Sequence, residues 1–297
     1  MPVRALIFDV DGTLAETEEL HRAAFNAAFA EAGLRWFWTE GLYARLLEVP
    51  GGRERMAAYA DETRSAPVDI PTLHRRKTGI YNERIRSGDI ALRPGVERLI
   101  RKAREDGVTL AIATTTSRAN VISLLAATLG EGALSWFASM RTGEDVRRKK
   151  PDPEVFRLVL ADIEMDGADC IAFEDSANGL RAALAAGIPT IVTPSVYTRG
   201  DDFAGAALVL RDLDEPDDPW AAMHWIATDR SLRGYSLIDG HDDCARSDQA
   251  DADPGKWRKL LAEEDGREDR DEHHAELVDG RDLGSIAELQ RPEVAKP

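Results

Sequence analysis

Apolar and polar positions follow two regimes along the chain. Residues 5–8, Ala5-Leu6-Ile7-Phe8, are continuously apolar and stop at Asp9, as in a short strand buried on both faces. Between residues 15 and 90 no such run recurs. Apolar residues there fall at helical spacing. A helix is expected over 17–31, with Leu20, Ala24, Ala27 and Ala28 at that spacing and Gly33 marking its end, and two more near 54–64 and 71–87. Trp36-Phe37-Trp38 is expected to pack into this block, and Pro50-Gly51-Gly52 reads as a turn. From Pro94 onward helices and apolar strands alternate: helices at 94–106, 118–129, 153–160 and 176–186, strands at 109–113, 138–141, 170–173, 190–193 and 207–210. That alternation predicts a parallel sheet with helices on both faces, to which strand 5–8 belongs. The expected fold is α/β, with a core in residues 1–15 and 91–225 interrupted after its first strand by a helical domain in residues 16–90.

After about residue 211 the pattern fades. Residues 231–297 are mostly Asp, Glu, Arg, Gly and His, and are expected to be a disordered acidic tail with room for one short amphipathic helix at 256–264. The net charge is −16, and half of it falls in residues 241–297, where 17 acids face 9 bases. This balance argues against a phosphate-backbone partner, so no nucleic acid is expected. It leaves room for a small anion held in a local cationic pocket. No apolar run approaches the roughly 20 residues of a membrane span, and no secretory leader opens the chain. The two cysteines, Cys170 and Cys244, cannot build a disulfide framework and suit a reducing compartment, so the cytoplasm is expected.

Candidate chemistry sits where strands end. Asp9-Val10-Asp11-Gly12-Thr13 places two carboxylates at the exit of strand 5–8, where open α/β sheets bind ligands. A carboxylate there can act as a nucleophile toward phosphorus, and its neighbour can trade protons. A capped turn or part of a calcium loop is the alternative. Thr114 ends strand 109–113 and could meet a phosphate oxygen, or be an ordinary strand-end threonine. Lys150, before Pro151, could hold a phosphate, or belong to a solvated basic run from Arg147. Glu174-Asp175 follows strand 170–173 and suits a hard divalent cation, or Asp175 caps the next helix.

Taken together, Asp9/Asp11, Thr114, Lys150 and Glu174/Asp175 resemble the four motifs of the haloacid dehalogenase-like superfamily. The Asp-x-Asp-Gly-Thr form favours its phosphatases and phosphomutases. The resemblance spans roughly residues 1–215. It implies a Rossmann-like parallel sheet core with a helical cap domain inserted after the first strand. A narrower similarity, to the CbbY group of phosphatases, rests on the stretch from Asp9 to Phe25, on Trp36-Phe37-Trp38, Gly51-Gly52-Arg53-Glu54-Arg55, the segment from Leu73 to Lys77, Thr114-Thr115-Thr116, the stretch from Phe173 to Ala183, and Tyr197-Thr198-Arg199. It implies a Mg²⁺-dependent enzyme acting through an aspartyl-phosphate. The implied reaction converts xylulose-1,5-bisphosphate, a Rubisco inhibitor, to xylulose 5-phosphate beside the Calvin cycle.

By the same resemblance Asp9 attacks phosphorus and Asp11 is the acid and base. Asp9, Asp175, the Asp11 carbonyl and, through water, Glu174 hold Mg²⁺. Thr114, Thr115, Thr116 and Lys150 hold the transferring phosphoryl. Arg53, Arg55 and Lys77 are the cap cations expected to face a second phosphate. Glu18 and His21, three residues apart on one helix, could meet sugar hydroxyls or assist Asp11. Hinges are expected at residues 15–17 and 89–94, in a monomer. Similarity to β-phosphoglucomutases, which share His21 and Lys77, keeps a sugar phosphomutase open, as it does a phosphoglycolate or general sugar-phosphate phosphatase. A non-enzymatic docking module would require loss of a chemical position, and none is lost.

Overall fold

The computed structural model describes residues 3–88 and 90–214, together with the backbone of Tyr235 and Ser236. The central strand β1 (Ala5–Phe8) is buried at every position. It lies between β2 (Thr109–Ala113) and β4 (Cys170–Glu174), parallel to both. β3 (Phe137–Arg141) flanks β2, while β5 (Thr190–Val192), β6 (Leu208–Val209) and β7 (Tyr235–Ser236) continue from β4. The seven-stranded order is β3-β2-β1-β4-β5-β6-β7, and every pairing is parallel. Alternation along β1 sends Ala5 and Ile7 into a core shared with Val155, Phe156, Val159, Ala182 and Ala183. On the stacked aromatic pair Phe8 and Phe173 the ring centroids are 4.8 Å apart.

The segment inserted after β1 carries four helices: α1 (Glu18–Glu31), α2 (Glu40–Leu46), α3 (Gly52–Glu62) and α4 (Ile70–Arg86). α5 (Val96–Glu105), α6 (Arg118–Leu129), α7 (Glu154–Ile163) and α8 (Ala177–Ala185) alternate with the later strands. Helix starts follow side-chain chemistry: Thr39, Asp69, Ser117 and Ser176 each accept a backbone N–H from the first turn of α2, α4, α6 and α8. Thr17 stands at the same place before α1 but makes no such cap, because its hydroxyl donates to Asp11 Oδ1 at 2.6 Å.

The helical block has its own aromatic core. Trp38 is fully buried and meets Phe25, Phe29, Tyr43 and Tyr59 at centroid distances of 4.6–6.0 Å. Of the tripeptide expected inside, Phe37 is instead 64 % exposed. Alternate residues of an extended segment point to opposite sides, so a run of three cannot all turn inward.

α2 was not anticipated; its seven residues are too few to display a helical period. The last strand was placed at 207–210, whereas Tyr235–Ser236 adds β7 inside the span expected to be disordered. The rest of 231–297, with the helix expected at 256–264, lies outside the described residues, as do Asp89 of the second hinge and residues 215–225 of the expected core. Among the described residues no helix is long and apolar enough to cross a membrane. Trp38→Ala should lower the unfolding free energy by about 3–5 kcal/mol in urea titrations, whereas Phe37→Ser should change it by no more than about 0.5 kcal/mol.

Candidate active site

β1, β2 and β4 end side by side, so their last residues deliver Asp9, Thr114, Glu174 and Asp175 to one place. Asp9 follows β1, and its N–H is held by the Phe173 carbonyl at 3.0 Å. Lys150 rises from the segment before α7, almost fully buried. Its Nζ donates to Asp9 Oδ1 at 2.6 Å, to Glu174 Oε1 at 2.6 Å and to the Ala113 carbonyl at 2.8 Å. The reading of Lys150 as a solvated residue is thereby excluded, although Arg147 and Arg148 beside it are exposed. Asp175 does not cap α8; Ser176 does.

Oxygens of Asp9, Glu174 and Asp175 lie within 4.8 Å of one another, and all three residues are buried. Burial is the largest influence on each carboxyl and pushes its pKa up; Lys150 opposes this at Asp9 and Glu174. Glu174 reaches about 7. Asp175 rises well above the carboxylate range, its neighbours Asp9 and Glu174 adding to the effect of burial. One ammonium among three carboxylates leaves the cluster short of positive charge. The oxygen donor set and this deficit fit a hard divalent cation.

Asp11 lies just beyond, its carboxylate turned away from that cluster. Oδ1 accepts from the Thr17 hydroxyl and lies 3.1 Å from His21 Nε2. Burial works against its charge, but His21, Thr17 and Lys77 together hold its pKa below the usual range. The turned carboxylate also argues against a one-loop calcium cage. Lys77 is buried, with Nζ 2.5 Å from His21 Nδ1 and over the Phe25 ring, and burial lowers its pKa to about 7. Tyr81 stacks on His21 with centroids 4.1 Å apart.

A cleft of about 1080 Å³ opens over these groups. All the residues singled out from the sequence line it: Asp9, Asp11, Glu18, His21, Arg53, Arg55, Lys77, Thr114, Thr115, Thr116, Lys150, Glu174 and Asp175. Their orientations differ. Thr114 is buried and its Oγ1 accepts the Thr116 N–H, while Thr116 accepts from Asn120. Glu18 is engaged by the Tyr43 hydroxyl at 2.6 Å, and Arg55 donates to Tyr43 Oη at 3.1 Å and to the Leu46 carbonyl. Arg53 is exposed on the cleft wall. The sequence reading assigns no role to His74, Lys149 or Tyr197. Lys149 bridges to Glu54 of α3 at 2.7 Å and Tyr197 donates to Glu19 of α1 at 2.8 Å. His74 lies behind Gly52. Burial, then Lys77, Arg53 and Lys149, press its pKa down to about 3. No spacing rule links these three to the strand ends, so only the fold reveals them.

A family model of haloacid dehalogenase-like hydrolases matches residues 3–187. The plasmid-borne protein CbbY of Cupriavidus necator is 50 % identical over 80 % of this chain and 99 % of its own length. The crystal structure of CbbY from Rhodobacter sphaeroides with phosphate aligns with TM-score 0.71 at 44 % identity, covering 74 % of this chain and 99 % of that one. The chain belongs to the haloacid dehalogenase-like hydrolases, as one of the CbbY type. It is an enzyme, a phosphatase. A mutant of the Rhodobacter sphaeroides CbbY, solved in complex with xylulose-(1,5)bisphosphate, matches with the same TM-score, identity and coverage.

Two glycines in this CbbY-type site leave no room for a side chain. A Cβ on Gly12, whose φ is +81°, would lie 2.2 Å from Asp175 Oδ2; one on Gly179 would lie 1.8 Å from Glu174 Oε2. Helix propensity alone favours Gly179→Ala by about 1 kcal/mol. Because Glu174 is fully buried and held by Lys150, the clash decides. Gly179→Ala should cut phosphatase turnover at least tenfold in steady-state assays while the far-ultraviolet circular dichroism stays unchanged.

Proposed function

We propose that this protein is a Mg²⁺-dependent sugar-bisphosphate phosphatase that works through an aspartyl-phosphate on Asp9, with xylulose-1,5-bisphosphate as its substrate and xylulose 5-phosphate as its product. One observation carries the reading: the carboxylate and lysine cluster at the strand ends shares a cleft with a wall of cations on α3, α4 and the segment before Lys150. A substrate with a phosphate at each end suits such a cleft. The bisphosphate bound to the 44 % identical CbbY supports the choice of sugar.

In this reading an Asp9 oxygen attacks phosphorus and the ester P–O bond breaks. The sugar oxygen takes a proton from Asp11. Asp11 is ionised before substrate arrives; the approach of an anionic phosphate raises its proton affinity, so it takes up a proton from solvent on binding and returns one to solvent when product leaves. Asp11 then takes a proton from water, whose oxygen attacks the aspartyl-phosphate, releasing inorganic phosphate and restoring Asp9. Thr114, the Thr115 N–H and Lys150 hold the phosphoryl oxygens. Asp9, Asp175, the Asp11 carbonyl and, through water, Glu174 would hold Mg²⁺, which would supply positive charge to offset the repulsion between carboxylate and phosphate. Lys77 orients His21, and His21 orients Asp11.

Helices α1–α4 act as a cap in this scheme, the domain boundaries falling at residues 15–16 and 90–91, with Arg53, His74 and Lys149 toward the second phosphate. Glu18, through Tyr43, and Arg55 shape the wall beside the sugar. The protein would act as a cytoplasmic monomer on a small molecule.

Phosphate release from xylulose-1,5-bisphosphate, assayed beside ribulose-1,5-bisphosphate, phosphoglycolate and β-glucose 1-phosphate, tests the substrate. Strong preference for the xylulose compound is expected, lost in Asp9→Asn. Conversion of β-glucose 1-phosphate to glucose 6-phosphate would move the protein to the mutases. Chelation with EDTA should abolish turnover, and added Mg²⁺ should restore it.

A further inference from the structure

Arg93 lies on the return crossing from the helical block to the core, where its N–H donates to the Leu14 carbonyl at 2.8 Å. Its side chain is 8 % exposed. Glu16, half-buried, lies 3.5 Å from Nε, and Asp175 and Asp212 act on the guanidinium from further off. Main-chain carbonyls surround the rest of the guanidinium. Nη1 donates to the Gly12 carbonyl and, at 2.6 Å, to that of Thr193; Nη2 donates to the carbonyls of Pro194 at 3.0 Å and Arg211 at 3.2 Å.

Burying a cation against neutral carbonyls is costly, and only a planar five-donor fork can serve so many acceptors at once. Apart from that of Arg211, the carbonyls it joins belong to two loops that both touch Asp175. Gly12 approaches the Asp175 carboxylate so closely that a Cβ would meet it, and the same Cβ would lie 3.1 Å from Ser195. On the other loop, the Thr193 N–H donates to the Glu174 carbonyl at 2.8 Å. The Ser195 N–H donates to Thr198 Oγ1, and that hydroxyl donates to the Asp175 carbonyl at 2.6 Å. Among the described residues no cation forms a salt bridge with Asp175, so its place depends on these walls.

We infer that Arg93 is a positioning residue for phosphoryl transfer: by stitching the Asp11–Gly12 turn to the Thr193–Pro194 loop it fixes the distance between Asp9 and the Glu174–Asp175 pair. This rests on the reading of those carboxylates as the metal-holding, phosphoryl-transferring group. Arg93 is not among the residues that line the cleft. Its loss acts on turnover and metal affinity and spares the substrate contacts on α3 and α4.

The test compares full-length Arg93→Gln and Arg93→Lys with Leu99→Ala, which removes a buried side chain from α5, the helix packed against β2. Calorimetric titration with Mn²⁺ gives metal affinity, and steady-state kinetics on the sugar phosphate the wild type hydrolyses fastest gives kcat and KM. Arg93→Gln should lower kcat at least tenfold with KM within threefold, and weaken Mn²⁺ binding at least fivefold. Arg93→Lys should recover part of both losses, since an ammonium can reach one carbonyl of each loop. Leu99→Ala should shift the melting temperature and leave both unchanged. The inference is overturned if Arg93→Gln keeps wild-type kcat or Mn²⁺ affinity, if Lys recovers neither, or if Leu99→Ala loses as much. A wild type whose Mn²⁺ binding survives Asp175→Asn refutes the site reading itself, and this inference with it.

Discussion

Everything at the strand ends turns on one ammonium group. Asp9, Glu174 and Asp175 are gathered where almost no water reaches them, and three carboxylates so close would repel strongly in a medium of low polarity. Lys150 makes the gathering tolerable by spanning two of them while the Ala113 carbonyl takes its third proton. It serves β1, β2 and β4 at once, so the packing of the central strands and the charge state of the site are not separable. Removing the ammonium would leave buried anions without a partner. The remaining shortage of positive charge at Asp175 is what makes the pocket receptive to a cation.

The helical block serves the same centre from above. Thr17 gives up the ordinary task of a helix cap to bond Asp11, and His21 reaches the same oxygen one turn later. Lys77 and Tyr81 on α4 fix the His21 ring from two sides. Lys149 with Glu54 and Tyr197 with Glu19 tie the block to the core at two places along the rim. Binding surface and chemical centre are thus built on different elements but share their polar contacts.

Much of this was visible in the sequence, for reasons that also mark the limits. A buried parallel strand must be apolar throughout, so residues 5–8, 109–113 and 170–173 stood out and pointed to Asp9, Thr114 and Glu174-Asp175. Each also had an ordinary alternative, and only the burial of Lys150 and the cap made by Ser176 removed two of them. Residues 147–150 read as one basic run, yet Arg148 is exposed, Lys149 reaches across the cleft and Lys150 is buried. Charge patterning cannot separate three such neighbours. Arg93 was invisible for a deeper reason: its acceptors are backbone carbonyls up to 118 residues away, which leave no trace in side-chain identity. α2 was too short to show a period, and Phe37 could not be told from the two tryptophans beside it.

The order of the strands has a consequence for how the chain comes together during synthesis. β1 is made first, yet its partners are residues 109–112 on one side and 170–173 on the other. Closing such long loops costs little equilibrium stability, about 0.6 kcal/mol for each doubling of length, but non-local pairings form slowly. The segment that carries Asp9 therefore leaves the ribosome long before either neighbour exists. It waits as an unpaired apolar edge while the helical block, whose contacts are local, can already fold beside it. The oldest strand in the nascent chain is enclosed only when β4 arrives, and the carboxylate and lysine cluster is completed at the same moment.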